Sequence, residues 1–165
     1  MSVFSNAAFY PDIRISADSL GNLYIGKSDS LIIRKYSEHG ELSAVLRDTY
    51  SPAPLTDNHI DSLYNHRGNL FKKAVNEVGR PDYWPTFQDF LIDDLGRCWV
   101  ELIDPGKSDQ TWWIFSRENQ PQWKLKLPVN VTLFEVQKEQ AYGIFRAEDS
   151  ISKVIRFQIK GLEGL

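Results

Sequence analysis

The stretches "DSLGNLYIG", Asp18 to Gly26, and "DDLGRCWVE", Asp93 to Glu101, are two versions of one short sentence. In each, an Asp stands three positions before a Gly, and an aromatic-aliphatic pair, Tyr24-Ile25 or Trp99-Val100, follows that Gly by three and four positions. Gly at such a point supplies a backbone angle that other residues avoid, and an Asp just before it can accept from the turn's own N–H groups. Each copy therefore reads as the hairpin between two strands, with the aromatic packed against a neighbouring layer. A Ca²⁺ loop would need further carboxylates at alternating positions, so Asp18, Asp93 and Asp94 are read as turn residues.

The likeness extends on both sides of the quoted residues. Before the first copy "DIRISAD" alternates Ile13 and Ile15 with Arg14 and Ser16; after it come "LIIRKYS", the turn "EHGE" and "LSAVL". This is a meander of four strands in about forty residues, the length of one propeller blade. The second unit repeats the order as "FQDFLIDD", "CWVEL", "TWWIFSR" and "WKLKLP", with a longer loop, "IDPGKSDQ", before its third strand. A third unit, "VTLFEVQKEQAYGIFR" followed by "SISKVIRFQIKG", keeps Tyr142 at the aromatic position but has lost the Asp and the Gly of the turn.

A blade's middle strands are covered on both sides, which explains runs such as "TWWIFS" that do not alternate. Trp112 and Ile114 are expected to face one neighbour, Trp113 and Phe115 the other. The fold class is thus all-β, a partial β-propeller of about three four-stranded antiparallel blades. The chain forms a single domain over 1–165, with blades at 9–48, 86–128 and 131–160. Between the first two, "PLTDNHIDSLYNHRGNLFKKAVNEVGRP" places Ile60, Leu63 and Tyr64, then Leu70, Phe71, Ala74, Val75 and Val78, at helical spacing. A helical insert is expected over 56–80, started by Thr56 or Asp57 and stopped by Gly79 and Pro81, with Gly68 as a point of division.

Composition bounds the function. Of 165 residues, 42% are hydrophobic and 13% aromatic, enough for a real core. Nineteen basic against twenty-two acidic residues, with no basic run longer than Lys72-Lys73, supply no stripe for nucleic acid. No apolar stretch approaches the length of a membrane span, and "MSVFSNAAFYPD" has neither the basic start nor the apolar core of a secretory signal. As written the chain reads as soluble, with export to the periplasm or cell surface expected if a signal precedes residue 1. Cys98 is the sole cysteine and reads as a small core residue. His59 and His66, seven apart in the insert, lack the familiar zinc spacing and read as helix surface; His39 sits in a turn.

The order "TDNHIDSLYN…RPDYWPTFQDFLIDDLGRCWVEL", followed by "WWIFS" and "WKLKLP", resembles the bacterial six-bladed β-propeller proteins of the NHL-like or TolB-like group. In that group a helical insert precedes a Pro-containing lead, a strand and a D-x-x-G-x-x-W-V step. The resemblance is strongest from Thr56 to Pro128, and the first unit, Ile13 to Leu46, also resembles a blade. It implies a fold, and members of the group are often exported or lipid-anchored. Propellers host unrelated functions, so it implies no single activity. Three units are half of a six-bladed ring, which predicts a C-terminal part of a longer chain or a ring completed by a second copy.

No G-x-S-x-G, phosphate-cradling loop or H-E-x-x-H is present. A propeller's ligands commonly meet its central channel, lined by the innermost strand of each blade. Aligning the units on Tyr24, Trp99 and Tyr142 puts Arg14, Asp89 and Thr132 in register, with Asp12 and Glu135 close by in sequence. These five are the candidate channel-lining, ligand-binding residues; no catalytic residue, metal site or cofactor is assigned. The expected function is a binding or interaction module for a protein, peptide or glycan, without nucleic acid or a membrane span. The alternative resembles a metal-dependent propeller hydrolase of the gluconolactonase type, with Asp12, Asp89 and Glu135 among the ligands.

Overall fold

The computed structural model describes residues 9–64, 75, 77, 79–116, 120–147 and 151–160. The first meander forms β1 (Ile13–Ala17), β2 (Leu23–Lys27), β3 (Ile32–Tyr36) and β4 (Leu42–Arg47), paired in chain order. The second forms β5 (Phe87–Ile92), β6 (Cys98–Leu102), β7 (Asp109–Phe115) and β8 (Pro121–Pro128), in the same order. The third contains β9 (Val131–Gln137), β10 (Gln140–Arg146) and β11 (Ser152–Gln158), three strands where four were expected among the described residues. Every pairing is antiparallel. β1 lies beside β5 and β5 beside β9, so the first strand of each blade is the innermost, as in a propeller.

The second blade is the filling of the sandwich. On one face Cys98, Val100, Leu102 and Phe115 pack with Tyr24, Ile33 and Leu46 of the first blade, with Trp113 half-buried at the edge. On the other, Trp99, Trp112 and Ile114 pack with Leu133, Val136 and Ala141 of the third. The split of "TWWIFS" between two neighbours is as the sequence suggested. β6 is buried at all five positions, and the Cys98 thiol, wholly enclosed, is pushed far above its ordinary value by burial. Fully burying a Trp or Phe here is worth about 1.5–3 kcal/mol each, which explains why the third unit keeps its apolar positions after losing its turn residues.

The two quoted turns share more than a glycine. Gly21 and Gly96 have φ of 81° and 75°, a region that costs other residues. Asp18 Oδ1 accepts from the N–H groups of Leu20 and Asn22, both at 3.0 Å. Asp93 Oδ1 does the same for Leu95 at 3.0 Å and Arg97 at 2.8 Å. The second oxygen reaches onward in both: Asp18 Oδ2 accepts from Asn22 Nδ2 and the Tyr24 hydroxyl, and Asp93 Oδ2 from Arg97 Nε and Trp99 Nε1. The Asp thus ties the turn to the aromatic six positions on. In the third unit Lys138 and Glu139 adopt φ of 50° and 61°, making a two-residue hairpin turn with no glycine where the first two units use five residues.

The helical insert is helical over α1 (Asp57–Tyr64), and Val75 and Glu77 are also helical; the rest of 65–78 lies outside the described residues. Thr56 Oγ1 accepts from the His59 N–H at 3.4 Å while His59 Nδ1 accepts from the Thr56 N–H at 3.3 Å, a reciprocal start to the helix. Pro54 pairs with Tyr83, and Trp84 donates its N–H to the Ala53 carbonyl, closing the insert at its neck. Its own small core, Phe9, Leu55, Ile60, Tyr64, Val75 and Trp84, touches Ile103 at the end of β6. No described helix is long and apolar enough to cross a membrane.

Candidate functional site

The three innermost strands begin at one end of the assembly. Arg14 Nε, near the start of β1, donates to the Gln88 carbonyl at the start of β5 across 2.8 Å. Gln88 in turn shares a cleft with Thr132, at the start of β9. The insert and the loop from β6 to β7 rise at this same end, because Trp84 and Ile103 also border that cleft.

Asp12 and Arg14 form an exposed ion pair at 3.2 Å. Asp89 follows a bulge in β5, accepts from the Phe90 N–H at 2.9 Å, and lies opposite Glu101 in the β5–β6 register. Thr132 accepts from Arg146 at 3.1 Å across the third blade. Glu135, exposed and opposite Tyr142, lies further along β9. Arg14 and Thr132 therefore share the end at which the innermost strands begin, with Asp89 one residue beyond Gln88. Among the described residues no three Asp, Glu, His or Cys side chains converge closely enough to hold an ion.

The sequence reading missed Glu101. It sits on the face of β6 that looks toward the third blade, only 8% exposed, and borders a cleft of about 370 Å³ with Gln110, Thr132 and Arg146. No hydrogen-bond donor reaches its carboxyl among the described residues. Burial, with the Asp89 carboxylate beside it, raises its pKa from 4.5 to about 7. Gln110 donates to the Val129 carbonyl at 3.3 Å, but its Oε1 is buried without a partner. The clue was present in "CWVEL": a carboxylate inside a strand buried on both faces needs a reason to be there.

A second cleft, about 380 Å³, lies at the other end between the two Asp turns. Its Asp, Lys and Tyr side chains are already engaged. Asp18 pairs with Lys35 at 3.5 Å, Lys35 lies 5.2 Å from the Tyr24 ring centre, and Asp94 Oδ2 accepts from the Lys138 N–H at 3.0 Å. His59 is engaged too, accepting from the Trp84 indole at 3.1 Å, and His66 lies outside the described residues.

Fold and packing define an all-β chain of the partial-propeller class. No family model matches the chain, and no curated protein matches it. Among solved structures it is similar to a luciferin-regenerating enzyme, at 16% identity and a TM-score of 0.39, over 90% of this chain and 45% of that one. The chain spans less than half the length of that protein, and a likeness this distant says nothing about its chemistry.

Proposed function

We propose that the protein is a binding module that takes its ligand at the end where the innermost strands begin, in the cleft between the second and third blades. One observation carries the reading: Glu101 is almost wholly buried, faces the cleft and receives no donor among the described residues. Buried polar groups are nearly always satisfied, so a site that leaves one open is built for a donor from outside. Asp12, Arg14, Asp89 and Thr132 surround the same end, and Glu135 extends the polar surface along β9. Together they offer a rim to a protein, peptide or glycan.

Thr132→Val combined with Arg146→Ala changes two exposed residues of the cleft wall and leaves the core alone. Peptide and glycan arrays probed with both proteins test the reading. Ligands retained by the wild type and lost by the variant are expected; equal signals would overturn it. The facing pair Asp89 and Glu101 gives the hydrolase reading its one foothold, and a large calcium-dependent rise in melting temperature would favour it over simple binding.

Self-association is a further part of the proposal. The outer face of the first blade exposes Ile13, Ile15, Leu23 and Val45, and that of the third exposes Phe134 and Val154. These faces lie at opposite ends of one row of blades. A second copy related by a two-fold axis along the channel would cover both at once.

A further inference from the structure

The cleft beside Glu101 holds more carboxylates than cations, which narrows what it can take. Among the described residues Glu101 on β6 has no donor, and Gln110 Oε1 on β7 is buried without one. Asp89 faces Glu101 from β5, and Asp109 at the start of β7 lines the same cleft. Two cations border it. Lys107 is paired with Asp104 in the β6–β7 loop, and Arg146 on β10 is exposed and donates to Thr132 on β9. Trp112, beside Glu101 on β7, carries no charge, and its buried indole N–H is likewise without a partner. Asp89, Glu101 and Asp109 outnumber Arg146, the one bordering cation that no carboxylate among the described residues already pairs.

We infer that this cleft binds a primary ammonium group, as carried by a small amine or a lysine side chain. The inference rests on the binding reading above and names its ligand chemistry. An ammonium brings three donors and one positive charge on a compact head. Those donors fit the two oxygens of the Glu101 carboxylate, and the charge offsets the carboxylates. An anion would meet Asp89 and Glu101, whereas a neutral polyol would leave their charge uncompensated. A cleft of about 370 Å³ admits a short alkyl amine with its chain along the wall.

Binding should be linked to Glu101's proton. The carboxyl titrates at about 7, so it is about half protonated at pH 7, and an ammonium favours the ionised form. If only that form binds, affinity rises about tenfold from pH 6 to pH 8, and about half a proton is released per ammonium bound at pH 7.

The test uses n-butylammonium chloride as probe, with sodium chloride at matched ionic strength as the control, in isothermal titration calorimetry at pH 6, 7 and 8. Buffers of different ionisation enthalpy count the protons released by the wild-type protein, so the result does not depend on whether a variant folds. Glu101→Gln, checked for folding by circular dichroism, is expected to lose both the pH dependence and most of the affinity. Absence of proton release, or equal binding by E101Q, would overturn the inference. Binding of glucose or of calcium at this cleft, with no response to the ammonium, would overturn it while leaving the binding reading in place. No response to any probe, together with equal array signals from the rim variant, would overturn both.

Discussion

Replacing Asp93 by Asn should cost far more than its size suggests. The carboxylate accepts four hydrogen bonds, from the N–H groups of Leu95 and Arg97, from Arg97 Nε at 2.6 Å and from Trp99 Nε1 at 2.9 Å. Its side chain is fully buried and that of Arg97 is 3% exposed. Asn keeps the two backbone bonds but turns a donating NH₂ toward two donors, and it leaves the guanidinium without its counter-charge. Two of the Arg97 nitrogens already lack partners, so no other group can absorb the loss.

Removing one member of such a buried pair costs about 3–5 kcal/mol, against a total stability of about 5–15 kcal/mol for a domain. For a chain of this size that lowers the melting temperature by roughly 6–20 °C. Asp18→Asn is the internal control. Its Lys35 partner is 27% exposed and keeps its water, so the loss should be about 1–2 kcal/mol. Thermal and urea unfolding followed by circular dichroism and Trp fluorescence measure both. A third protein, D93N with Arg97→Met, removes the orphaned charge and should recover most of the loss. The reasoning fails if D93N and D18N cost the same, or if removing Arg97 makes D93N worse.

Three further outcomes are expected. Because the folded state raises Glu101 from 4.5 to about 7, it holds a proton that the unfolded chain has given up. Stability from this group is full below about pH 4.5 and is lost as pH rises through 7, by up to about 3 kcal/mol; E101Q should flatten that slope in urea titrations, and an unchanged slope would refute the assignment. Glu139→Gly relieves a left-handed residue in the β9–β10 turn and should stabilise by about 1 kcal/mol in the same assay, whereas a loss would show that the side chain matters there. Light scattering after size exclusion should find a dimer that Ile15→Lys, on the exposed face of the first blade, converts to a folded monomer; a wild-type monomer at every concentration would sink the closed ring.

What the sequence revealed and what it concealed have physical causes. The blades were legible because "TWWIFS" and "LYIGK" carry their own packing instructions: period-two side chains split between two neighbours, and Gly21 and Gly96 mark the turns. The third hairpin was legible only through Tyr142, since Lys138 and Glu139 make its turn without the usual residues. The start of the insert was legible from Thr56, which does cap the helix. Glu101 was overlooked because alignment on the innermost strands looks for polar residues where water is expected, and Glu101 lies one strand outward, opposite Asp89. A search for charges in fully buried strands would have found it.

Asp93 and Glu101 show how a buried carboxyl declares its purpose. They stand at opposite ends of the same strand-turn unit, 3% and 8% exposed, each beside one face of the second blade's core. Asp93 is saturated: four donors converge on it, and a turn and a tryptophan are held in place as a result. Glu101 receives none among the described residues, while Gln110 and Thr132, which border the same cleft, are bonded elsewhere. Arg97 also keeps two nitrogens without partners, but they are sealed in the packed interior beneath Trp99, where nothing can reach them. Among the described residues, Glu101 is a carboxyl at which an unmet hydrogen-bonding demand and an open cleft coincide. A structural carboxyl is recognised by the donors the chain brings to it; a carboxyl kept for a ligand is recognised by the donors the chain withholds.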